Sequence, residues 1–452
     1  MFTRVISGPN ARSTWRPVCC ARSWFFEGNA TVTLPREDGL AGVEGLTAVV
    51  HQANAGQDTE RELAYPALED IAGMASDLGL GRVRMLAWRD IEDPEAGGSE
   101  LHAHRIASLW AKHGIDVELR TSQVGPRPTS TARDGYRVVR RGGRYSVFPR
   151  SAMSTLLGGD GRPDALVEIW NGMPFLSPVW SRCPRVVFLH HVHAEMWRMV
   201  LPRALAAAGE TFECRVAPLL YRRSRIVTLS RSSRAEIAAL LGIPFSQITV
   251  VPPGVEEGFS PGVERTAHPS VLAVGRLVPV KRFDMLLEAV MPLRERYPEL
   301  TLTIIGEGYE RPSLEALIRS RGAGDWVSLP GRLGDEALRA AYRRSWVLAS
   351  ASLREGWGMT ITEAGACGTP AVVTDIAGHR DAVLSGHTGF LVRSPAELTG
   401  ALDMLIADPA LRSRLGAAAL AHANCFTWEA AAAGTLSALV GVARARRARG
   451  YR

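Results

Sequence analysis

The stretch that decides the fold is 354–373, REGWGMTITEAGACGTPAVV, in which two carboxylates stand eight positions apart across a glycine turn. Gly356 and Gly358 follow the first carboxylate, Glu355, and a helix-like run surrounds the second, Glu363. Backbone N–H groups at the start of a helix attract phosphate oxygens, and glycines let a ligand approach the backbone closely. A carboxylate accepts two hydrogen bonds side by side, which suits the neighbouring hydroxyls of a sugar or ribose. The stretch therefore predicts a turn that binds phosphate and sugar hydroxyls.

Glu363 also has a purely structural interpretation. The residues Thr360-Ile-Thr-Glu363 match a capping box, in which the glutamate only satisfies the start of its helix. That interpretation leaves Glu355 and the paired glycines unexplained, so both interpretations stay open for Glu363.

Outward from this stretch, short apolar runs alternate with helical patterns in both halves of the chain. The strand-like runs are 82–88, 115–119, 165–170, 185–189, 225–229 and 248–251, then 270–274, 300–305, 326–329, 346–350 and 371–373. This alternation is typical of parallel sheets with crossover helices. We therefore expect an α/β protein with two doubly wound domains facing across a cleft, and ligands at the carboxyl ends of the strands.

The domain limits follow from composition. The segment 252–269 contains four prolines and has no periodicity, which is typical of a linker. The expected units are an N-terminal extension (1–80), a first domain (81–252), a linker (253–269), a second domain (270–425) and a C-terminal helix with a basic tail (426–452). The extension is expected to be partly disordered with one helix near 58–77, and the last helix to return to the first domain.

Composition sets further bounds. The 452 residues are 46% hydrophobic and 22% charged, which is enough for two globular cores. Six cysteines without metal-ligand spacing indicate a reducing cytoplasm, and no apolar run reaches the ~20 residues that span a bilayer. The formal charge of +7 suits an anionic partner without identifying its class.

The loop GRLVPVKR (275–282) follows the first strand of the second domain and carries Arg276 and Lys281. Almost all basic residues of the chain are arginine, and the only lysines are Lys112 and Lys281. Two cations at the carboxyl end of a strand would neutralise a diphosphate and stabilise its charge as it departs. A solvated basic loop is the alternative, but its position matches that of the glutamate turn.

These motifs resemble the donor half of a retaining family 4 glycosyltransferase with the GT-B fold. The resemblance rests on GRLVPVKRFDMLLEA, LPGRLGDEALRAAY and EGWGMTITEAGACGTPAVVTDIAGHRDAV, and it runs through most of the chain from about residue 82. It implies that Glu355 contacts the transferred sugar and Glu363 binds the nucleotide ribose. It also implies that Arg276 and Lys281 hold the diphosphate without a metal or cofactor.

The resemblance extends to further donor-binding positions. The segment Pro-Gly-Arg ending at Arg332 occupies the place of the base pocket, and Gly98 lies in a glycine loop that approaches the donor phosphate or acceptor. The turn itself adds Gly356, Gly358, Met359 and Thr360. The family's Gly-Gly-x-x-Glu pattern is Ala-Gly-His-Arg-Asp at 377–381, which puts little in doubt beyond local geometry. A turn with Ser99 as helix N-cap is the structural alternative for the glycine loop.

Three histidines, His190, His191 and His193, follow the strand 185–189. The family resemblance implies a histidine near the reacting centre, and His190 is the best match. A metal site is disfavoured because the spacing is not that of zinc ligands, and a buried structural histidine is the other alternative. The sequence GEGYER (306–311) lacks the third glycine of a dinucleotide-binding loop, so a dehydrogenase is disfavoured.

The expected function is transfer of a sugar from a nucleoside-diphosphate sugar to a hydroxyl acceptor that is a glycan, a lipid or a small molecule. Two alternatives are an epimerase of the same fold, which acts on the donor alone, and a non-catalytic nucleotide-sugar-binding subunit. The basic runs 137–145 and 444–452 suggest either solvated surface or peripheral contact with an anionic membrane at its inner face. No nucleic-acid partner is expected.

Overall fold

The computed structural model describes residues 65–158, 161–262 and 265–450. Its first sheet has eight strands in the order β3-β4-β2-β1-β5-β6-β7-β8, parallel except for the β3–β4 pair. The strands are β1 Arg82–Leu86, β2 Asp116–Thr121, β3 Ser130–Arg133, β4 Tyr136–Arg140, β5 Ala165–Ile169, β6 Arg185–Phe188, β7 Arg225–Thr228 and β8 Ile248–Val250. The central strand β5 is buried along its whole length, as expected where helices cover both faces of a parallel sheet.

The second sheet has six parallel strands in the order β11-β10-β9-β12-β13-β14. Its strands are β9 Ser270–Val274, β10 Thr301–Ile305, β11 Val327–Gly331, β12 Val347–Ser350, β13 Ala371–Thr374 and β14 Gly389–Val392. From β9 the chain order runs outward in both directions, to β10 and β11 on one side and to β12, β13 and β14 on the other. The loops after β9 and β12 therefore leave the sheet at a topological switch point. The predicted class, two Rossmann-like α/β domains, is confirmed.

The α-helices of the described residues cover these sheets. They are α1 Leu68–Asp77, α2 Gly98–Lys112, α3 Val147–Leu157, α4 Ser177–Trp180, α5 Trp197–Val200, α6 Arg203–Thr211, α7 Ala217–Tyr221, α8 Arg231–Leu241, α9 Phe283–Arg296, α10 Arg311–Ser320, α11 Asp335–Arg344, α12 Met359–Ala366, α13 His379–Ala382, α14 Pro395–Ala407, α15 Pro409–Ala423 and α16 Trp428–Ala448. Short 3-10 or π turns link some of them, including the turn Pro279–Lys281 after β9. In the described part of the chain no single helix is long and apolar enough to cross a membrane; α15 and α16 pass such a test only as a pair, bent by 43°.

Strand β4 overlaps the basic run 137–145, for which the sequence suggested solvated surface or contact with an anionic membrane. Its Arg140 is 1% exposed and donates hydrogen bonds to Asp90 and Glu92, while Arg137 donates to Glu118. The lipid-contact interpretation is therefore wrong for Arg140. Arg137 and Arg140 interrupt the apolar pattern of this strand, and their acidic partners lie far away in the sequence, so the sequence signal for a strand was weak.

Helix α1 corrects the expected extension over 1–80. Its residues Leu68, Ile71 and Ala75 are buried in the core of the first domain, so residues 65–80 belong to that domain. The start of the helix expected near 58–77, like the rest of the extension through residue 64, lies outside the described residues. Apolar spacing of three and four positions in 68–75 was the available sequence signal.

The last helix, α16, packs on the core of the first domain although it follows the second domain in the chain. The indole Nε1 of Trp110 donates to the carbonyl oxygen of Ala432 at 3.0 Å, and Leu436 and Leu439 are fully buried. Near the crossing point the N–H of Val255 donates to the carbonyl oxygen of Phe426 at 3.1 Å. The two segments that connect the domains, one at Val255 and one at Phe426, are thus hydrogen-bonded to each other.

Candidate active site

The glycine turn lies between the end of β12 and the start of α12, as its sequence indicates. Gly358 is the residue before the helix and has φ +101°, a conformation that glycine adopts without strain. At Gly356 a Cβ atom would lie 2.7 Å from the carbonyl oxygen of His190. Only glycine therefore lets this turn of the second domain lie directly against the carboxyl end of β6 in the first.

Glu355 forms an ion pair with Lys281. The Lys281 ammonium donates to Oε1 of Glu355, and the Ser352 hydroxyl donates to the same oxygen at 3.0 Å. Burial would raise the pKa of Glu355, but the charge of Lys281, the nearby His379 and these hydrogen bonds outweigh it and bring the pKa to about 2. The carboxylate is therefore ionised at every working pH, and the two side chains leave the carboxyl ends of β9 and β12 to meet.

Glu363 lies one turn into helix α12 and has a different environment. Its Oε2 accepts a hydrogen bond from the Tyr342 hydroxyl at 2.7 Å. Burial raises the pKa of Glu363 to about 7, against the effect of that hydrogen bond and with a smaller contribution from Glu256. No side chain caps the start of α12, so the capping-box interpretation of Glu363 is wrong.

The predicted donor-side residues reach across the cleft to the glycine loop of the first domain. Arg276 donates to the carbonyl oxygen of Glu95 at 3.3 Å, and Arg332 donates to that of Pro94 at 3.5 Å. A Cβ atom at Gly98 would lie 3.2 Å from Sδ of Met359, so the loop also touches the start of α12. The structure thus brings the loops after β1, β9, β11 and β12 to one place.

Two local details complete this region. Thr360 is half-buried in the first turn of α12, and no hydrogen bond of its side chain is among the described contacts. The N-cap of α2 is Gly97 and not Ser99; Glu100 reaches back to accept from the Gly97 N–H at 2.8 Å. The Ser99 hydroxyl instead donates to Glu100 at 2.9 Å.

The histidines after β6 separate into different environments. His190 is buried, and its Nε2 lies 3.3 Å from Nδ1 of His102 on α2. His191 is half-buried, and its Nε2 has no hydrogen-bond partner among the described residues. Burial lowers the pKa of His191 to about 4; the charge of Glu355 opposes this shift, and those of three cations including Lys281 add to it. His191 therefore experiences the charges of the glutamate turn, whereas the pKa of His190 is lowered by burial and by its histidine neighbours.

The described residues contain no group of three or more His, Cys, Asp or Glu side chains arranged to hold a metal ion. His190, His191 and His193 accordingly do not form such a group. All three imidazoles have pKa values lowered by burial and are neutral at pH 7.

Comparisons with known proteins agree with this geometry. The family model described as glycosyl transferases group 1 matches residues 255–422, and that of glycosyltransferase family 4 matches 96–259. A D-inositol 3-phosphate glycosyltransferase of Stackebrandtia nassauensis is 30% identical over 395 residues, 77% of this chain and 89% of the relative. The enzyme of that name from Gordonia bronchialis is 29% identical over 382 residues, 74% of this chain and 82% of the relative. The chain belongs to the family 4 glycosyltransferases.

Solved structures support the same fold for this glycosyltransferase. Sucrose-phosphate synthase from Thermosynechococcus elongatus superposes with a TM-score of 0.68 at 20% identity, covering 78% of this chain and 96% of the other. HepE of Anabaena, solved in complex with UDP-glucose, gives a TM-score of 0.60 at 18% identity, covering 81% of this chain and 99% of the other. At these identities the likeness concerns the GT-B fold alone.

Sequence reasoning missed the contacts that hold the two domains of the glycosyltransferase together. Asp381 accepts from the N–H groups of Arg231 at 2.8 Å and Ser232 at 3.1 Å, so a carboxylate of the second domain caps α8 of the first. Arg354 pairs with Glu195 at 2.8 Å and with Glu236 at 2.6 Å across the same boundary. The 377–381 segment, where the family pattern is broken, thus forms part of the domain contact.

Proposed function

We propose that this glycosyltransferase moves a sugar from a nucleoside-diphosphate sugar to a hydroxyl acceptor, with retention at the anomeric carbon and without a metal. The observation that carries the proposal is the Lys281–Glu355 pair at the switch point of the second sheet, opposite the glycine loop. A cation for the diphosphate and a carboxylate for the sugar hydroxyls stand side by side where a nucleotide-sugar joins these two groups.

Each donor-side residue has a role that suits its environment. Lys281 and Arg276 would stabilise the charge on the departing diphosphate, because positive side chains fixed in a closed cleft lower the energy of developing negative charge. Glu355, held ionised, would accept hydrogen bonds from the sugar hydroxyls, and Glu363 from the ribose. Arg332 would border the base pocket.

In the transfer step the bond between the anomeric carbon and the diphosphate oxygen breaks, and the acceptor oxygen bonds to the same carbon. The proton of the acceptor hydroxyl leaves with the departing diphosphate. The proposal that the anomeric configuration is retained rests on membership of the family. His190 is the proposed assisting residue on the acceptor side; His191 is a second candidate, because Glu355 and Lys281 both act on its imidazole.

The names of the relatives suggest an acceptor class to test. Curated relatives named D-inositol 3-phosphate glycosyltransferases suggest a phosphorylated polyol as the first acceptor to test. D-Inositol 3-phosphate is itself the natural first compound, followed by other polyol phosphates and by glycan or lipid-linked hydroxyls.

A screen of donors tests the proposal. UDP-, GDP- and ADP-sugars are added to the protein in a thermal-shift assay, since a ligand that binds the native state raises Tm by mass action. Turnover is then followed with D-inositol 3-phosphate in the presence of EDTA, and the anomeric configuration of the product is assigned by NMR. Inversion, or loss of activity in EDTA that added metal restores, would contradict the proposed chemistry.

The chain supplies a matched control for the diphosphate contact. Lys281→Ala is expected to lower kcat/KM by about 10- to 100-fold or more, because a hydrogen bond to a charged group contributes roughly 1.5–3 kcal/mol. Lys112→Ala removes the only other lysine, at the exposed end of α2, and is expected to leave kcat/KM unchanged. Equal activity of the two variants would remove Lys281 from the mechanism.

A further inference from the structure

A second basic recess lies at the edge of the first sheet opposite the cleft. This cavity of about 540 Å³ is formed where the chain enters β6, β7 and β8 and by the last turns of α16. These strands are parallel, so their amino ends lie at the edge of the sheet away from the loops that build the candidate active site. The cavity is therefore separate from the candidate active site.

The lining of this cavity is strongly positive. It includes five arginines, Arg185, Arg223, Arg225, Arg446 and Arg449, and no acidic side chain is found among the described residues that line it. Guanidinium groups around one recess repel one another, and a bound anion would offset that repulsion. An anion is the ligand that this arrangement fits.

In the described part of the chain, Arg185 is the arginine of this lining that has an unsatisfied buried hydrogen-bond donor. Its buried Nε has no hydrogen-bond partner among the described residues, although its Nη2 donates to the carbonyl oxygen of Ser181. Burial lowers the pKa of Arg185; the charge of Glu168 opposes this shift, and that of Arg446 adds to it. The carboxylate of Glu168 accepts from the hydroxyls of Ser177 and Tyr221 and not from Arg185.

The shape of α16 opens the recess. Gly441 and Ala445 stand one turn apart on the helix face that lines the cavity, and a Cβ atom at Gly441 would meet no other atom within 4 Å. Small side chains there leave room between the arginines of α16 and those of the strands. Guanidinium groups bind phosphate oxygens through two parallel hydrogen bonds, so several around one recess favour a multiply charged phosphate.

We propose that this cavity binds a multiply charged phosphate anion, either a soluble polyphosphate or the phosphate head group of an anionic lipid. The proposal does not depend on the donor or acceptor of the transfer reaction. The volume is within the range of about 300–1,000 Å³ that is common for small-ligand sites.

Inorganic triphosphate is the probe for the soluble form of the ligand. Its binding is measured by calorimetry on the full chain carrying Arg276→Ala and Lys281→Ala, which removes the two cations assigned to the diphosphate. One saturable site is expected in this background. Arg446→Glu with Arg449→Glu should weaken that site by about tenfold or more, because two charge-assisted contacts are lost. Ala445→Trp, which fills the recess without changing its charge, should weaken the site by a similar factor.

A matched control separates a local site from general attraction. Arg444→Glu with Arg447→Glu makes the same change of charge on the same helix outside the lining, and should alter binding by less than about threefold. Sedimentation with phosphatidylcholine vesicles, with and without phosphatidic acid, tests the lipid form of the ligand with the same pairs of variants. If a probe binds and only the cavity variants weaken its binding, the site is supported, and the probe that binds identifies the ligand as soluble or lipid. The proposal is overturned if neither probe binds, or if both charge reversals weaken binding equally.

Discussion

Glu355 and Glu363 are close in sequence and chemically identical, yet their surroundings give them opposite protonation behaviour. Glu355 has a cation and a hydroxyl as partners, and its pKa is about 2. Among the described residues Glu363 has the neutral hydroxyl of Tyr342 as its hydrogen-bond partner, and its pKa is about 7. One carboxylate is thus permanently ionised, while the other changes its protonation state near neutral pH.

This difference predicts how donor binding depends on pH. Ribose hydroxyls donate to an ionised carboxylate, so donor affinity should rise as Glu363 ionises and reach a plateau above about pH 8. At about pH 6 roughly one tenth of Glu363 is ionised, and Kd should be up to about tenfold higher than on the plateau. Calorimetry with the donor found by the thermal-shift screen measures this profile.

Glu363→Gln is the control for this profile. It should bind the donor more weakly and lose the change between about pH 6 and pH 8. A variant that retains the wild-type profile would assign the pH dependence to another group. The effect on stability has the opposite sign: the native pKa of Glu363 lies above the ordinary value of 4.5, so the contribution of Glu363 to the free energy of unfolding falls as pH rises from there towards 7.

The sequence predicted the places of the candidate site residues in the fold better than their contacts. Lys281 and the glycine turn with Glu355 lie in loops that follow strands, and parallel strands bring such loops together, while Glu363 lies on the helix that follows the turn. The Tyr342 contact to Glu363 and the pairing of His190 with His102 join distant segments, and side-chain packing that one sequence does not encode locally decides them. The prediction of the eight-stranded sheet was incomplete for the same reason, because the arginines of β4 pair with acidic residues that are distant in the sequence.

At the scale of elements, the turn between β12 and α12 is held by steric fit. The backbone of Gly356 lies against that of His190, and its carbonyl oxygen accepts from the Ser233 hydroxyl at 3.1 Å. The turn therefore contacts both β6 and α8 of the first domain while it carries Glu355. Any displacement of this turn moves the carboxylate of Glu355.

Gly356→Ala is expected to disturb activity more than stability. Its Cβ would lie 2.7 Å from a backbone oxygen, so the turn must shift, and kcat/KM should fall by about 100-fold because small misplacements of a reacting group are costly. Gly400→Ala within α14 is the matched control, since no atom lies within 4 Å of its Cβ. That variant should keep full activity and gain about 0.5–1 kcal/mol in the free energy of unfolding. Full activity of Gly356→Ala would show that the close contact does not position Glu355.

At the scale of the whole molecule, two kinds of contact link the domains. One is permanent: α16 is buried in the first domain's core, and the chain beside it is bonded to the linker. The other consists of polar contacts at the cleft, such as Asp381 with α8 and Arg354 with two glutamates. Hydrogen bonds of this kind break at little cost in water, so we expect the cleft to open about the buried α16 contact.

Asp381 offers a direct test of this closure. Removing a helix cap costs about 0.5–2 kcal/mol, and in Asp381→Ala that cost falls on the closed arrangement alone, because α8 regains water when the cleft opens. The closed-to-open ratio should decrease by about 2- to 30-fold, with a larger radius of gyration in solution scattering and a lower kcat. Saturating donor should restore the compact form, since a ligand that bridges both domains favours closure. Asp375→Ala is the control, because Asp375 pairs only with Arg380 and Arg393 of its own domain among the described contacts. If both variants scatter like the wild type without donor, the Asp381 contact does not set the balance between open and closed forms, and the cap contributes to α8 alone.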